Sequence, residues 1–172
     1  MRTYILFAIC LCFFNCNTSK STTNQTVKNS KKQPCPDDGK CSVILHQNKQ
    51  LHIKKDDLGS LYYSLVDSKN TAVIAFEYKK HTDATLQDGH YSEEILFEIQ
   101  NDTQLLELND ADLQITKMIF GRHCYCKGMA GYFSVTNGRL NLKKEHNKYN
   151  LSLQFKVNEV PQVLNSIIID VQ

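Results

Sequence analysis

A two-residue alternation of apolar and polar side chains is what most restricts the fold of this chain. Over residues 149–157, Leu151, Leu153, Phe155 and Val157 occupy every second position, with Asn150, Ser152, Gln154 and Lys156 between them. Successive side chains of a strand point to opposite faces, so this stretch predicts a strand with one apolar and one polar face. Residues 91–100 repeat the pattern, with Ile95, Phe97 and Ile99 against Glu94, Glu98 and Gln100. Residues 71–80 place Val73 and Ala75 on one face and Ile74, Phe76 and Tyr78 on the other. Shorter stretches of the same kind lie at 42–46, 50–54, 61–66, 104–108, 131–136, 139–144 and 167–171. Gln47-Asn48-Lys49 separates the first two, Asp67-Ser68-Lys69-Asn70 is a turn, and Asn137-Gly138 is the strongest hairpin dipeptide in the chain. Asn109-Asp110 predicts the cap of one helical turn over 111–114, after which 115–120 returns to strand. The expectation is an all-β fold: an antiparallel β-sandwich or partly open β-barrel of about nine to eleven short strands, with at most one short helix.

The first 33 residues have a different character. Arg2 precedes an uncharged apolar run over 4–14, too short for a bilayer core of about 20 residues but suited to an export signal. The run stops at Asn15-Cys16-Asn17, with no small-residue cleavage site. A short signal ending directly at a cysteine resembles the signals of bacterial lipoproteins, in which that cysteine is lipidated and becomes the first residue. The resemblance implies a signal at 1–15 and a lipid anchor on Cys16. Phe13, Phe14 and Asn15 depart from the common Leu-and-small-residue box and are similar to the looser boxes of Bacteroidota. Residues 17–33 are almost wholly Ser, Thr, Asn, Gln and Lys, which cannot bury enough surface to order themselves. Such a tether reaches roughly 20–25 Å. Bacteroidota lipoproteins sent to the cell surface resemble one another in carrying acidic residues just after the lipidated cysteine; Asn17-Thr18-Ser19-Lys20-Ser21 has none, so the resemblance implies the periplasmic side of the cell envelope. Residues 34–172 then form one β-rich domain, roughly 140 residues, enough for a real core. Twenty Lys and Arg against 18 Asp and Glu give a net charge of +2, which offers no argument for a nucleic-acid partner.

Four cysteines remain in that domain: Cys35, Cys41, Cys124 and Cys126. An even number in an exported domain predicts two disulfides. Neighbours two apart on a strand would be strained by ordinary disulfide geometry, so cross-links from the Cys35–Cys41 segment to Cys124 and Cys126 are expected. The fully local pattern stays open, because Pro36-Asp37-Asp38-Gly39 makes a turn. Zinc binding by His123 and the cysteines lacks the usual C-x₂-C spacing. A redox role for Cys124-x-Cys126, with His123 or Lys127 lowering a thiol pKa, lacks a C-x-x-C. Asp37-Asp38-Gly39 and Asp110-x-Asp112 do not continue into a calcium loop and are expected as a turn and a helix cap. Glu93-Glu94 reads as a solvated pair at a strand edge. Gly128-x-x-Gly131 turns the chain after Cys126. No motif asks for a cofactor or supplies a catalytic residue.

The segment Phe120-Gly121-Arg122-His123-Cys124-Tyr125-Cys126-Lys127-Gly128, followed by Gly131-Tyr132-Phe133, concentrates aromatic, basic, glycine and cysteine residues. It resembles a block found in small flavobacterial lipoproteins of unknown function. The same resemblance covers the Cys-Pro-x-Asp-Gly-x-Cys-like segment at 35–41 and Val160-Pro161-Gln162-Val163. It implies a family and no activity. Arg122, His123, Tyr125, Lys127 and Tyr132 are the candidate functional patch. The leading expectation is a lipid-anchored interaction or structural module whose partner is an envelope protein. The alternatives are a carrier or inhibitor of a small apolar ligand, and a thiol oxidoreductase using Cys124 and Cys126.

Overall fold

Nine strands and one short helix make up the computed structural model, which describes residues 35–83 and 85–172. The signal, Cys16 and the whole tether lie outside the described residues. In chain order the elements are β1 (Gly39–Lys55), β2 (Leu61–Lys80), β3 (Tyr91–Gln100), β4 (Leu105–Asn109), a 3₁₀ helix (Asp110–Thr116), β5 (Ile119–Cys124), β6 (Gly131–Ser134), β7 (Gly138–Glu145), β8 (Lys148–Phe155) and β9 (Ser166–Val171). Every strand pairing is antiparallel. One sheet runs β1-β2-β3-β5-β6 and closes on itself where Leu61 of β2 pairs with Tyr132 of β6. The second sheet runs β4-β7-β8-β9. The fold is therefore all-β, a small closed barrel with a second sheet packed on its flank.

The alternation explains the layering. Ile74, Phe76 and Tyr78 of β2, Ile95, Phe97 and Ile99 of β3, and Phe120 of β5 meet Leu140, Leu142, Leu151, Leu153 and Phe155 of the second sheet. This is the main core, and it contains the apolar face of 149–157. The opposite faces of β2, β3 and β5 contribute Val73, Leu96 and Ile119 to a smaller cluster with Leu51 inside the barrel. Strands β2 and β3 are thus covered on both sides, which is why both faces of 71–80 carry apolar residues.

Three local expectations need correction. The stretches at 42–46 and 50–54 form one strand, and so do 61–66 and 71–80, so β1 and β2 make a hairpin of 17- and 20-residue arms. Asp67-Ser68-Lys69-Asn70 does not end a strand. Between the pairs Gln47↔Ala72 and Lys49↔Asp67, one residue of β1 opposes a longer stretch of β2, and the surplus bulges. Asn48 takes a left-handed φ of 56° there, and Thr71 Oγ1 donates to Lys49 O at 2.9 Å. Bulges bend a ribbon without breaking it, so turn-forming residues mark a bend between the two halves of the hairpin.

Asn137-Gly138 does not close a hairpin either. It carries the chain from β6 in the first sheet to β7 in the second. Gly138 has φ 146°, and a Cβ on it would collide with the Gln154 carbonyl of β8, so close backbone approach demands the glycine. The hairpin of this region is β7–β8, turned by His146-Asn147 with His146 at φ 56°. The helix, finally, runs on to Thr116, and Lys117 in the left-handed conformation ends it, so strand resumes at Ile119 and not at 115.

Identical substitutions should report this layering. Leu153→Ala, fully buried between the sheets, is expected to cost about 2–5 kcal/mol of unfolding free energy. Leu105→Ala, on the exposed side of β4, is expected to stay within about 0.5 kcal/mol. Urea denaturation of the two variants measures both.

Candidate functional site

One end of the first sheet gathers nearly all of the candidate residues. Register places Cys41 opposite Tyr78, Tyr78 opposite Glu93, and Glu93 opposite Arg122. Cys124 pairs with Tyr91 at the same end. The two cysteine pairs therefore share one rim but lie three strands apart, roughly 14 Å at the usual strand spacing. A disulfide needs Cα atoms within about 7 Å, so the expected long-range cross-links do not form. The structure bonds Cys35 to Cys41 and Cys124 to Cys126.

Each local bond has a local cause. Gly39 N donates to Pro36 O at 3.0 Å, and the turn brings Cys35 back to Cys41 at a Cα separation of 5.7 Å. The loop is clamped to the sheet where Tyr78 Oη donates to Asp38 Oδ1 at 2.7 Å and Lys80 Nζ reaches Asp38 Oδ2 at 3.3 Å. Burial of Tyr78 and its bond to Asp38 raise the phenol pKa, while the same bond and then Lys80 hold the Asp38 carboxyl below its ordinary range. At the second pair, β5 ends at Cys124 and the chain bends at Tyr125. The Cα atoms of Cys124 and Cys126 are 5.3 Å apart, against about 6.7 Å along a regular strand. Met129 N donates to Cys126 O at 3.1 Å, and Gly128 and Gly131 take φ of 74° and 128°, so this glycine pair does turn the chain.

Strand alternation then separates Arg122 from His123. Arg122 points to the main core and is almost completely buried. Its Nη1 donates to Cys126 Sγ and to Met129 O, both at 2.9 Å, and its guanidinium lies 5.3 Å from the centre of the Tyr91 ring. Tyr91 Oη donates to Glu93 Oε1 at 2.5 Å. Glu93 is 0 % exposed, and its two oxygens accept the backbone N–H groups of Val163 and Leu164 at 2.7 Å each. Burial of the Tyr91 ring and its bond to Glu93 raise that phenol's pKa, although Arg122 opposes the rise.

His123 points the other way, to the barrel. Its Nε2 and Glu94 Oε1 are 2.8 Å apart, and Tyr132 Oη donates to the same oxygen at 2.6 Å. The Tyr132 ring meets His123 edge-on at 5.3 Å and Tyr63 at 5.2 Å. Gly121 makes the space for this: a Cβ there would stand 2.7 Å from the Tyr132 ring and 2.9 Å from both Glu94 Cγ and His123 Nε2. Burial disfavours the charged form of Glu94, but the bonds from His123 and Tyr132 outweigh it and hold the carboxyl below its ordinary range. Burial and the bond to that carboxylate push the Tyr132 phenol upward. Glu77 faces Glu94 across the strands, and Lys79 Nζ at 2.9 Å from Glu77 Oε1 offsets the like charge. Among the described residues the His123 ring bonds a carboxylate and no hydroxyl or thiol nucleophile.

The candidate patch is thus three places and not one. Arg122 belongs to a buried network, His123 and Tyr132 to the barrel cluster, and Tyr125 and Lys127 to the exposed β5–β6 loop. Sequence reading missed Tyr91, Glu93 and Glu94, and the pair Glu93-Glu94 is not a solvated edge. Strand β3 lies between β2 and β5, so consecutive side chains enter opposite buried faces. Comparison with known protein families, curated proteins and solved structures finds no match to this chain.

The lowered Glu94 carboxyl sets a pH dependence. A depressed folded-state pKa contributes stability that is present above the unfolded-state value, ordinarily 4.5, and is lost as pH falls through the folded value. Glu94→Gln should therefore lower stability at neutral pH and lose less of it on acidification. Urea midpoints taken from pH 7 to pH 3 that run parallel in the two proteins would contradict this assignment.

Proposed function

We propose that this protein is a membrane-anchored cell-envelope lipoprotein, held by lipid on Cys16, whose β-domain presents an interaction surface to an envelope protein. The anchor rests on the signal ending at Cys16 and the polar tether that follows. The interaction reading rests on one observation. Tyr125 is 83 % exposed, and Met129 and Val163, at 40 % and 44 %, hang from the same buried framework of Arg122 and Glu93. Aromatic and Met side chains on a rigid support are what protein interfaces use at their centres. Lys127 on the same loop adds a solvated charge beside them.

The carrier alternative finds less support. The barrel interior is filled by Leu51, Val73, Leu96 and Ile119. An open groove of about 560 Å³ on the second sheet is lined chiefly by polar residues, among them Asn109, Asp110, Arg139, Gln154 and Lys156.

Two measurements test the proposal. Cys16→Ser should move the protein from the membrane fraction to the soluble fraction and remove the acyl mass from the intact chain. A photo-crosslinking residue at position 125 should capture an envelope protein that the same residue at position 105 does not, and Met129→Ala should reduce that capture. Equal capture at both positions would sink the interaction surface. An unmodified Cys16 would sink the anchor.

A further inference from the structure

We infer that Cys124 and Cys126 form an exchangeable disulfide that oxidises a pair of thiols in a partner polypeptide, with Arg122 stabilising the Cys126 thiolate that leaves. This activity does not depend on the anchor; it uses the same β5–β6 loop that carries Tyr125 and Met129, but it does not require that loop to hold an envelope protein stably.

The first observation is the placement of Arg122. Its Nη1 lies 2.9 Å from Cys126 Sγ, close enough to donate to that sulfur. Among the described residues no carboxylate makes an ion pair with Arg122. Glu93 faces it across the strands, and the hydrogen-bonded link between them runs through Tyr91 Oη, at 3.4 Å from Arg122 Nε. The Glu93 oxygens already accept Val163 N, Leu164 N and Tyr91 Oη. A buried cation without a direct anion is costly. Opening the disulfide supplies that anion at the sulfur the guanidinium already touches.

The second observation is access. The bond sits at the tip of the β5–β6 hairpin, both cysteines are only half-buried, and the residue between them is the exposed Tyr125. A polypeptide thiol can approach this tip from solvent. The other pair is half-buried as well, so the difference lies in its surroundings: Cys35 and Cys41 pack against the main core, their loop is clamped by Tyr78 and Lys80 through Asp38, and among the described residues no cation donates to either sulfur.

The chemistry balances without a further reagent. A substrate thiolate attacks Cys124 Sγ, the Cys124–Cys126 bond breaks, and its electron pair leaves on Cys126 Sγ beside Arg122. The substrate is now joined to Cys124 as a mixed disulfide. Its second thiolate attacks the substrate sulfur of that bond and releases Cys124, which takes a proton from water. The substrate dithiol has lost two electrons and become a disulfide, and Cys124 and Cys126 have gained them. A leaving thiol of lower pKa leaves faster, which gives Arg122 its role.

The full chain, purified oxidised, would be equilibrated with graded mixtures of reduced and oxidised glutathione, quenched in acid and mapped by thiol labelling and mass spectrometry. Cys124–Cys126 is expected to open in mixtures that leave Cys35–Cys41 closed. In the reduced pair, the rate of iodoacetamide labelling at Cys126 is expected to reach half its maximum below the ordinary thiol value of about 8.5. Arg122→Gln should move that midpoint upward and slow exchange with a dithiol peptide roughly three- to tenfold. Arg122→Lys, which keeps the charge, should recover part of both. A wild-type Cys126 midpoint at or above that of a free thiol would overturn the inference, and that reading needs no variant to fold. So would joint opening of both disulfides, or an Arg122→Gln protein, folded by circular dichroism, that exchanges at the wild-type rate.

Discussion

Consecutive carboxylates at the start of β3 face opposite buried layers, and the functional end of the molecule is arranged around them. Glu93 enters the main core, where two backbone N–H groups and the Tyr91 hydroxyl hold it. Glu94 enters the barrel, where His123 and Tyr132 hold it. An ionised carboxylate is tolerated inside a protein only when hydrogen bonds replace its water. Each bond from a charged group contributes about 1.5–3 kcal/mol, so each carboxylate fixes several elements at once. Glu93 ties the segment before β9, in the second sheet, to the first sheet. Glu94 ties β5 and β6 to β3 across the barrel wall.

The rim that results is rigid behind and open in front. Both disulfide loops stand on it, and each is pinned to the sheet by a charged side chain: the first through Asp38 on Tyr78, the second through Arg122 on Cys126 and Met129 O. The two bonds close loops of only six and two residues. In a chain-entropy account such short loops restrict the unfolded chain less than the long cross-links expected from the cysteine count. Their main effect is on local shape, and this suits loops that present side chains to a partner.

Much of the strand pattern was legible, because burial on one face leaves a two-residue period in the sequence. Residues 91–100 and 149–157 showed their faces directly, and the strands that form there, β3 over 91–100 and β8 over 148–155, turn those faces inward. Strand continuity was less visible. Asp67-Ser68-Lys69-Asn70 has the composition of a chain-reversing turn, yet a long hairpin absorbs it as a bulge. Asn137-Gly138 has the composition of a hairpin, yet its glycine answers to the Gln154 carbonyl of another strand. Turn chemistry is local, whereas the choice between turn, bulge and crossover depends on which strand lies opposite. The candidate site was legible as a dense segment around 120–133 but not as separate clusters, because neither Glu93 nor Glu94 carries a signal until β3 is known to be covered on both sides.

By itself, the sequence determined that this chain would build antiparallel sheet, where most strands begin, and that a polar segment precedes the domain. It did so because side-chain period and chain composition are properties of neighbouring residues. Only the tertiary structure decided that the first sheet closes into a barrel, that the cysteines pair locally, and that Arg122 and His123 serve opposite faces. Those outcomes depend on strand order, which puts two further strands between Cys41 and the strand that carries Cys124 and leaves a guanidinium beside a sulfur without a direct carboxylate partner.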